Sequence, residues 1–422
     1  MKAMTKSLIV FADDLTGTLD TAVQFAMRGI DVISFPTVAS FEENSDWSHQ
    51  VYVLNTNSRH LAKEDAYQTL YTLALAVKSR GCRFIFKKTD SALRGNIGAE
   101  ICGVMAAYRS SRMVFAPSYP DMERYTKEGI HYYKDTPISE SVFGRDPFDP
   151  VRYSSVAQII EQTGEVRVVN LPAGAAIDTP SVPTVFVVDA QTNDDLRTAY
   201  GMAKGLGKPF LMAGCAGLAM ALAEELEGKA KVGRCIPKID AVLVVSGSMN
   251  QITMQQVSYL SIADYPVRLL YSNVELSAEF LDSPACDSLT DDVCAELEKK
   301  HVAILATAGG RKDGVETVDD SDREAIAWAI AMIAKKILDR KKDCALVVLG
   351  GDTLLSVVST LFSGSLFPVG EIMPGVPLSL AHYKDGSDCL IATRSGGFGQ
   401  DNAVETIIGY FKRKEAEIWT VQ

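Results

Sequence analysis

Two adjacent carboxylates, Asp13 and Asp14, directly follow a short apolar run at residues 8–12. A segment with helical spacing of apolar residues begins behind them, so the pattern predicts a strand, a turn with both carboxylates, and a helix. Parallel α/β sheets place catalytic groups at such strand ends. The alternative is that Asp14 or Thr16 only caps the helix. One carboxylate is enough for a cap and two adjacent ones repel, so we predict that the pair takes part in chemistry.

More polar and charged residues follow two other apolar runs, at residues 51–54 and 83–86. Because the carboxyl ends of parallel strands lie along one edge of a sheet, these side chains are expected to meet the two carboxylates. Cations, hydroxyls and carboxylates together suit a small polyhydroxylated acid. The residues predicted to bind it are Asp14, Asn55, Arg59, Lys88, Thr89, Asp90, Ser91 and Arg94.

The expected roles within this set differ. Arg59 or a lysine would bind the carboxylate of the acid, and Asp90 and Ser91 would bind its hydroxyls. Side chains alternate along a strand, so Lys88 and Asp90 are expected to point to the same side. We predict that Lys87 is an outward-facing strand residue.

Four predicted strands in the second half of the chain end in turns of small residues, at residues 246–248, 307–310, 350–353 and 395–399. Backbone N–H groups exposed by glycines, next to helix N-termini, form a site for phosphate groups. Any one of them could be an ordinary turn, but four together predict a nucleotide site. Neither a P-loop motif nor a dinucleotide-binding G-x-G-x-x-G after the first strand occurs. The predicted nucleotide-binding residues are Ser248, Gly350, Gly351, Asp352, Thr353 and Gly396.

Short β-branched runs alternate with longer helical segments along the whole chain, which predicts an α/β fold. Breakers at Gly233 and Pro237 precede a new strand at residues 241–245. We therefore predict two domains, residues 1–235 for the substrate and residues 236–422 for the nucleotide. Each is expected to be a mainly parallel sheet flanked by helices, with the active site in the cleft between them.

The pattern also predicts where the sheets are interrupted. Residues 128–150 combine aromatic residues with Pro and Asp and are expected to form a long irregular connection. The remaining strands are predicted at residues 113–116, 185–188, 209–212, 303–306, 345–349 and 389–392.

The composition is that of a globular protein, because 47% of its 422 residues are hydrophobic and 23% are charged. A net charge of −11 gives no basic surface for a polyanion, so nucleic acid is not an expected partner. The eight Cys form no C-x-x-C pair, which favours reduced thiols in the cytoplasm over a zinc site or a disulfide framework. No targeting segment and no apolar stretch of membrane-spanning length is visible, so no membrane partner is expected.

These motifs, in their order and spacing, resemble the four-carbon acid sugar kinases, formerly a domain of unknown function. The resemblance covers nearly the whole chain. In the first domain it rests on residues 13–17, which read Asp-Asp-Leu-Thr-Gly, and on residues 88–91, 93–95, 116–117, 145–148 and 216–219. In the second domain it rests on residues 246–248, 350–353, 374–377 and 395–399.

The resemblance implies that the N-terminal domain binds the sugar acid, that the C-terminal domain binds ATP, and that phosphate is transferred to the terminal 4-hydroxyl. The implied substrate positions lie near Asp14, Arg59 and residues 88–91. The implied ATP positions lie near Ser248, residues 350–353 and Gly396.

The expected substrate within this family is D-threonate, with erythronate, 3-oxo-tetronates and D-glycerate left open. Two departures from the family pattern bear on that choice. The family usually has Asp at the position of Asn55 and Arg at that of Asn57, and consecutive glycines where this chain reads residues 123–130. Both departures lie where substrate would be sensed, so they affect the identity of the acid and not the use of ATP.

In-line phosphoryl transfer needs mainly positioning and neutralisation of charge, with Mg²⁺ bridging the ATP phosphates. Asp14 is the first choice for the group that accepts the hydroxyl proton, and Asp90 is the second. Lys88 or Arg94 would balance the charge of the transferred group. The expected partners are the sugar acid and ATP; the metal ligands are not assigned and a homo-oligomer is left open.

Two alternatives belong to other classes of protein. Residues 14–18 also match the Asp-x-Thr-Gly-Thr pattern of phosphoaspartyl enzymes, in which the carboxylate is the nucleophile. The second acidic motif of those enzymes is missing, because Asp352 is followed by Thr-Leu-Leu-Ser. A sensor that binds a sugar acid is the non-enzymatic alternative, but it gives no reason for the four phosphate-type turns.

Overall fold

The structure is a computed structural model. It describes residues 7–146, 149–226, 228, 236–271, 275–308, 320–395 and 399–413, with the backbone alone at residues 320–322. The chain divides into two compact units, Met1–Val232 (unit 1) and Gly233–Gln422 (unit 2). The predicted boundary after residue 235 falls at the end of residues 229–235, outside the described residues.

The strands of unit 1 include near-continuous apolar runs, as expected for parallel strands that are covered on both faces. In the first of them, Leu-Ile-Val-Phe-Ala, all residues are buried. The strands are β1 Leu8–Ala12, β2 Val32–Phe35, β3 Val51–Asn55, β4 Phe84–Lys88, β5 Arg112–Ala116, β6 Arg124–Lys127, β7 Ile130–Tyr133, β8 Thr136–Pro137, β9 Arg167–Leu171, β10 Thr184–Val188 and β11 Phe210–Gly214.

Eight of these strands form a parallel sheet in the order β2-β3-β1-β4-β11-β5-β10-β9. Apolar side chains of the sheet, such as Val10, Phe86 and Met212, form a buried core with helix residues that include Phe25 and Leu222. The helices are α1 Leu15–Ala26, α2 Val38–Glu42, α3 Lys63–Ser79, α4 Ile97–Tyr108, α5 Val156–Thr163, α6 Asn193–Gly205 and α7 Ala216–Glu224. Short 3₁₀ turns occur at Pro120–Met122 and Ile138–Glu140.

The segment predicted as an irregular connection is more regular than expected. β6, β7 and β8 form a small antiparallel sheet, so the prediction is wrong for residues 128–137. The turn between β6 and β7 contains Glu128 and Gly129 at φ +52° and +73°. Positive φ at both central residues defines the two-residue hairpin turn that matches the twist of the flanking strands.

The strands of unit 2 lie in the order β13-β14-β12-β15-β18-β17-β16. The first five are parallel, and β17 and β16 are antiparallel to their neighbours. The strands are β12 Ala241–Ser246, β13 Val267–Leu270, β14 Val302–Thr307, β15 Cys344–Leu349, β16 Phe362–Glu371, β17 Pro377–Tyr383 and β18 Asp388–Arg394. The helices are α8 Gln251–Ile262, α9 Ala278–Leu281, α10 Pro284–Lys300, α11 Asp320–Arg340, α12 Gly351–Leu361 and α13 Ala403–Arg413.

The predicted α/β class, with a mainly parallel sheet in each part of the chain, is confirmed. Every predicted strand corresponds to an observed one to within a few residues, whereas β2, β6, β7, β8, β9, β13, β16 and β17 were not predicted. Among the described residues, no helix combines the length and the apolar character needed to cross a membrane. The seven cysteines that the structure describes are free thiols.

Candidate active site

Five strand ends meet at one edge of the unit 1 sheet, because β3, β1, β4, β11 and β5 are successive neighbours. The register aligns them: Ala12 lies opposite both Asn55 and Lys88, and Gly214 lies opposite both Lys88 and Ala116. The residues that follow these strands therefore face a common crevice, the usual ligand position in open α/β sheets. We call its ionised cluster the charged edge: Asp13, Asp14, Arg59, Lys88, Asp90 and Arg94.

Arg59 lies at the centre of the charged edge. Its Nε is 2.7 Å from Asp13 Oδ2, and its Nη2 is 2.9 Å from Asp14 Oδ1 and 3.8 Å from Asp90 Oδ1. Burial disfavours the guanidinium cation, but these carboxylates outweigh that cost and raise the pKa of Arg59 well above its ordinary value. Arg59 is therefore already neutralised by protein carboxylates.

Asp90 is bound by a second arginine. Arg94 Nε is 2.7 Å from Asp90 Oδ2 and Arg94 Nη2 is 3.1 Å from Asp90 Oδ1, which is a bidentate pair. Burial raises the pKa of Asp90, but Arg94 and Arg59 outweigh it and hold the pKa well below its ordinary value. A carboxylate that holds its charge so strongly is a poor proton acceptor, which disfavours Asp90 as the base.

Asp14 caps the helix, which the sequence offered as one alternative, and it also lies in the charged edge. Its Oδ1 accepts a hydrogen bond of 3.0 Å from Gly17 N and so caps α1. The same Oδ1 lies 3.9 Å from Lys88 Nζ, inside the charged edge. A Cβ at Gly17 would collide with Lys88 Nζ and lie 2.5 Å from Asp14 Oδ1. The absence of a side chain at Gly17 therefore leaves the space in which Lys88 Nζ approaches the Asp14 carboxylate.

Lys87 does not face outward as predicted. Its side chain is fully buried, and its Nζ lies 2.9 Å from Glu100 Oε2 on α4 and donates to the carbonyl oxygen of Lys88. Burial raises the pKa of Glu100, although the ammonium group of Lys87 lowers it. A buried ion pair of this kind needs both partners, because removal of one leaves an uncompensated charge.

The remaining residues predicted to bind substrate occupy different positions. The Asn55 amide is engaged with backbone, since its Nδ2 donates to the Pro36 carbonyl oxygen (2.9 Å) and its Oδ1 accepts from Asn57 N (2.9 Å). Thr89 N donates to the Gly214 carbonyl oxygen, which ties β4 to β11, and its hydroxyl is buried without a partner among the described residues. Ser91 Oγ accepts a hydrogen bond of 3.1 Å from Arg124 Nη1.

Sequence reasoning missed two charged residues at this crevice, Asp20 and Arg124. Burial raises the pKa of Asp20 to about 6, while Lys88 lowers it and Asp14 raises it further. Its Oδ1 is buried and has no hydrogen-bond partner within the described part of the chain. The available signal was its spacing, because Asp20 lies one helical turn after Gly17 on a helix whose residues are largely buried.

In unit 2, the turns after β12 and β15 lie side by side, because Ser246 is opposite Leu349 in the sheet. Gly247 N donates a hydrogen bond of 3.0 Å to Thr353 Oγ1. Gly350 has φ +101°, and a Cβ there would lie 3.2 Å from Ser248 Cβ. We call this pair of turns the glycine edge: Gly247, Ser248, Gly350, Gly351, Asp352 and Thr353.

α12 begins at the glycine edge, and its N-cap residue, Gly350, makes no side-chain cap hydrogen bond. The first N–H groups of a helix lack intrahelical partners and favour an anion. The Asp352 carboxylate in its first turn pairs with Arg323 at 2.9 Å. The structure brings Ser248 and residues 350–353 together, whereas Gly396, Gly309 and Gly310 lie outside the described residues.

The neighbouring strand β18 contributes Arg394, which is 1% exposed. Its backbone carbonyl oxygen accepts a hydrogen bond of 2.9 Å from Gly350 N, and its Nη2 lies 3.5 Å from Thr253 Oγ1. Burial lowers the pKa of Arg394 to about 10, so it remains a cation at neutral pH. Among the described residues, no group of three or more His, Cys, Asp or Glu is arranged to hold a metal ion.

The two parts of the chain match two known domain families. A sugar-binding N-terminal domain matches residues 8–222, and a nucleotide-binding C-terminal domain matches residues 243–404. The chain belongs to the four-carbon acid sugar kinase family, so the predicted family is confirmed.

Characterised relatives match along nearly the whole chain. The D-threonate kinase of Salmonella typhimurium is 27% identical over 96% of this chain and 98% of its own length. The D-erythronate kinase of Heliobacterium modesticaldum is 24% identical, covering 97% of this chain and 98% of the relative. The 3-oxo-tetronate kinase of Cupriavidus necator is 25% identical, covering 92% and 93%.

Two solved structures share the fold. A protein from Salmonella typhimurium LT2, solved under the name of a tRNA synthase, has a TM-score of 0.74 at 20% identity and covers 98% of this chain. Haemophilus influenzae protein HI1011 has a TM-score of 0.67 at 21% identity and covers 96%. The matches extend over 100% of both proteins, and at this identity they concern the fold alone.

Proposed function

We propose that this protein is an ATP-dependent kinase that phosphorylates the terminal 4-hydroxyl of a four-carbon sugar acid. The observation that carries the proposal is the approach of Lys88 Nζ to Asp14 Oδ1 across Gly17. It joins a carboxylate that can orient a hydroxyl with a cation that can balance a transferred phosphoryl group. The full-length match to kinases of such acids supports the same reaction.

D-threonate is the substrate that we propose. Three relatives named D-threonate kinase match between 94% and 96% of this chain at 26% to 27% identity. The family usually has Asp at the position of Asn55. That departure is compatible with D-threonate, since the Asn55 amide is hydrogen-bonded to backbone groups. Erythronate, 3-oxo-tetronate and D-glycerate are the competing acceptors.

We assign the catalytic roles at the charged edge by their electrostatics. Asp14 orients the acceptor hydroxyl and takes its proton, a role that typically contributes about a hundredfold to ten-thousandfold in rate. Lys88 balances the charge on the transferred group, and Arg59 fixes the position of Asp14 through the 2.9 Å contact with its Oδ1. Asp90 and Arg94 neutralise each other through their bidentate ion pair.

The glycine edge is the proposed ATP site, with Gly396 as a further member. Its backbone N–H groups and the open N-terminus of α12 suit phosphate oxygens. Mg²⁺ is usually held by one or two carboxylates together with substrate phosphates and water, so a cluster of protein ligands is not required. Asp352 fits that chemistry, because its side chain is 58% exposed in the first turn of α12. Bound there, Mg²⁺ would neutralise phosphate charge. The prediction that the reaction takes place between the two domains stays a prediction.

The test is release of ADP from Mg-ATP over a panel of D-threonate, D-erythronate, 3-oxo-tetronate and D-glycerate. We expect acceptor-dependent release with the highest kcat/KM for D-threonate. Release that is independent of the acceptor, or no release with any four-carbon acid, would contradict the proposed function. A clear preference for another acid on the panel would contradict only the choice of substrate.

A further inference from the structure

Arg124 is a buried arginine beside the charged edge. It is the first residue of β6 and is 9% exposed. Its Cζ lies 4.8 Å from the ring centroid of Phe143 and 5.6 Å from that of Tyr133. Its Nη1 donates to Ser91 Oγ at 3.1 Å, which places the guanidinium next to the residues after β4. Two ring faces and one hydroxyl thus fix its position.

The charge of Arg124 is balanced differently from that of the other two arginines. Arg59 contacts Asp13, Asp14 and Asp90, and Arg94 contacts Asp90 and Asp146. Arg124 forms no ion pair with any residue that the structure describes, and its buried Nε has no hydrogen-bond partner there. Burial of an unpaired charge is unfavourable, and it lowers the pKa of Arg124.

Two carboxylates near Arg124 act on it only without direct contact: Asp90 raises the pKa of Arg124, and Arg124 lowers that of Asp20, but neither carboxylate forms an ion pair with it among the described residues. The nearby His131 donates from Nε2 to the Ser91 carbonyl oxygen (3.0 Å), and its Nδ1 accepts from Thr126 Oγ1 (2.9 Å), so it has partners that the sequence did not reveal. Burial lowers the pKa of His131 to about 4, so His131 is neutral at pH 7 and supplies no charge. Its hydrogen bonds connect β7 to Thr126 and Ser91. Arg94 lies close enough to repel Arg124, and Asp90 is already bound by Arg94.

We propose that Arg124 binds the carboxylate of the sugar acid and makes the protein select acids over the corresponding neutral sugars. A planar carboxylate matches the two parallel N–H donors of the guanidinium group, and it supplies the directly paired opposite charge that Arg124 lacks among the described residues. This inference rests on the proposed function, and it replaces Arg59 as the residue that recognises the carboxylate. In this assignment Arg59 holds the carboxylates of Asp13, Asp14 and Asp90 in place, and Arg124 contacts the carboxylate of the ligand.

The test compares the binding of D-threonate with that of its neutral amide, D-threonamide, by calorimetry without ATP. The wild-type protein should bind the acid more tightly than the amide by roughly 10- to 100-fold, the range of a charge-assisted contact. Arg124→Gln should remove most of that preference by weakening binding of the acid alone. Arg124→Lys keeps the charge without the fork, so it should retain part of the preference.

A matched control is Arg80→Gln, because Arg80 also stacks on an aromatic ring, with its Cζ 4.2 Å from the centroid of Trp47. It should leave both affinities unchanged. Equal weakening of acid and amide in Arg124→Gln, or an unchanged preference, would overturn the inference. If Arg124→Gln does not fold, Arg124→Lys decides, and an undiminished preference there would overturn it. Acid binding through Arg124 without any ADP release would instead contradict the kinase reaction alone.

Discussion

The charged edge of unit 1 is made of side chains, whereas the glycine edge of unit 2 is made largely of backbone. In the first, Arg59 alone contacts three carboxylates, so a small shift of any member disturbs the others. In the second, the main features are Gly350 at φ +101°, the hydrogen bond from Gly247 N to Thr353 Oγ1, and the N-terminus of α12, which no side chain caps. The two proposed sites therefore differ in kind: a specific pattern of charged side chains for a small acid, and backbone N–H donors for phosphates.

The largest expected effect in this comparison is at the charged edge. Asp14→Asn should lower turnover by roughly two to four orders of magnitude, because the amide cannot accept the hydroxyl proton. Asn is also a good N-cap, so α1 should remain folded and binding of ATP should survive. Steady-state kinetics of the variant are the measurement, with Asp194→Asn on the exposed start of α6 as the control. Unchanged turnover would leave Asp14 as a cap only.

The same residue separates direct transfer from a phosphoaspartyl mechanism. Direct transfer predicts that Asp14 never carries phosphate. After incubation of the wild-type protein with γ-labelled ATP and an acid quench, no label should remain on the protein. Base-labile label on Asp14 would show that the carboxylate is a nucleophile and would refute the assigned role.

Gly17→Ala should produce the next largest effect. The new Cβ would displace Lys88 Nζ and Asp14 Oδ1, and a displacement of about 1 Å in a reacting group can cost about a hundredfold in rate. We expect a comparable loss of kcat/KM for the sugar acid with little change in nucleotide affinity. Gly201→Ala in α6 is the matched control, since nothing lies within 4 Å of a Cβ at that position. Equal kinetics in the two variants would refute the account of Gly17.

A smaller effect is expected from Gly350→Ala at the glycine edge. A side chain at φ +101° costs of order 1–3 kcal/mol in backbone strain and would press on Ser248, so the turn should shift. Nucleotide affinity should fall about tenfold or more, with the affinity for the sugar acid unchanged. Gly386→Ala is the control, because Gly386 has φ +89° but a Cβ there would have no atom within 4 Å. It therefore introduces backbone strain without a new side-chain contact. A similar loss in both variants would favour an ordinary turn.

The last effect concerns stability rather than turnover or ligand affinity. Burial raises the pKa of Asp20 to about 6, so the folded state favours protonated Asp20. Stability is therefore lost as the pH rises from about 4 to 6, and the full penalty is present above that window. Asp20→Asn should raise the free energy of unfolding at pH 7 by up to about 3 kcal/mol and give no gain at pH 4. Urea denaturation at both pH values is the measurement, with the exposed Asp65→Asn as the control. An equal gain at both pH values would contradict the role of charge.

Much of the fold follows from local sequence, because buried parallel strands such as β1 and β15 are continuous apolar runs. Two of the strands that were not predicted lack that signal. β13 has exposed residues at its centre, and β16 contains Gly364, Pro368 and Gly370, which are breakers in most settings. Their place is set by pairing with neighbours rather than by their own pattern.

The candidate site also has a part that the sequence predicts and a part that it does not. The residue types of the charged edge follow strand ends and could be predicted, but their partners could not. Lys87 is buried because Glu100 on α4 meets it, and nothing near Lys87 in sequence shows this. Arg124 was missed because β6 was not predicted and its hairpin partner β7 lies within residues 128–150, which were predicted to be irregular. Glu128 and Gly129 have the positive φ that this hairpin turn requires, but Glu-Gly is not one of the residue pairs that usually indicate it.

The most direct test of the division between the two edges is a crossed titration of two ligands against two variants. D-threonate and a non-hydrolysable ATP analogue with Mg²⁺ are each titrated into wild type, Gly17→Ala and Gly350→Ala. We predict that Gly17→Ala loses affinity for D-threonate and keeps that for the nucleotide, and that Gly350→Ala does the reverse. Loss of both ligands in the same folded variant, or loss of the nucleotide in Gly17→Ala, would contradict the assignment of the acid to unit 1 and of ATP to unit 2.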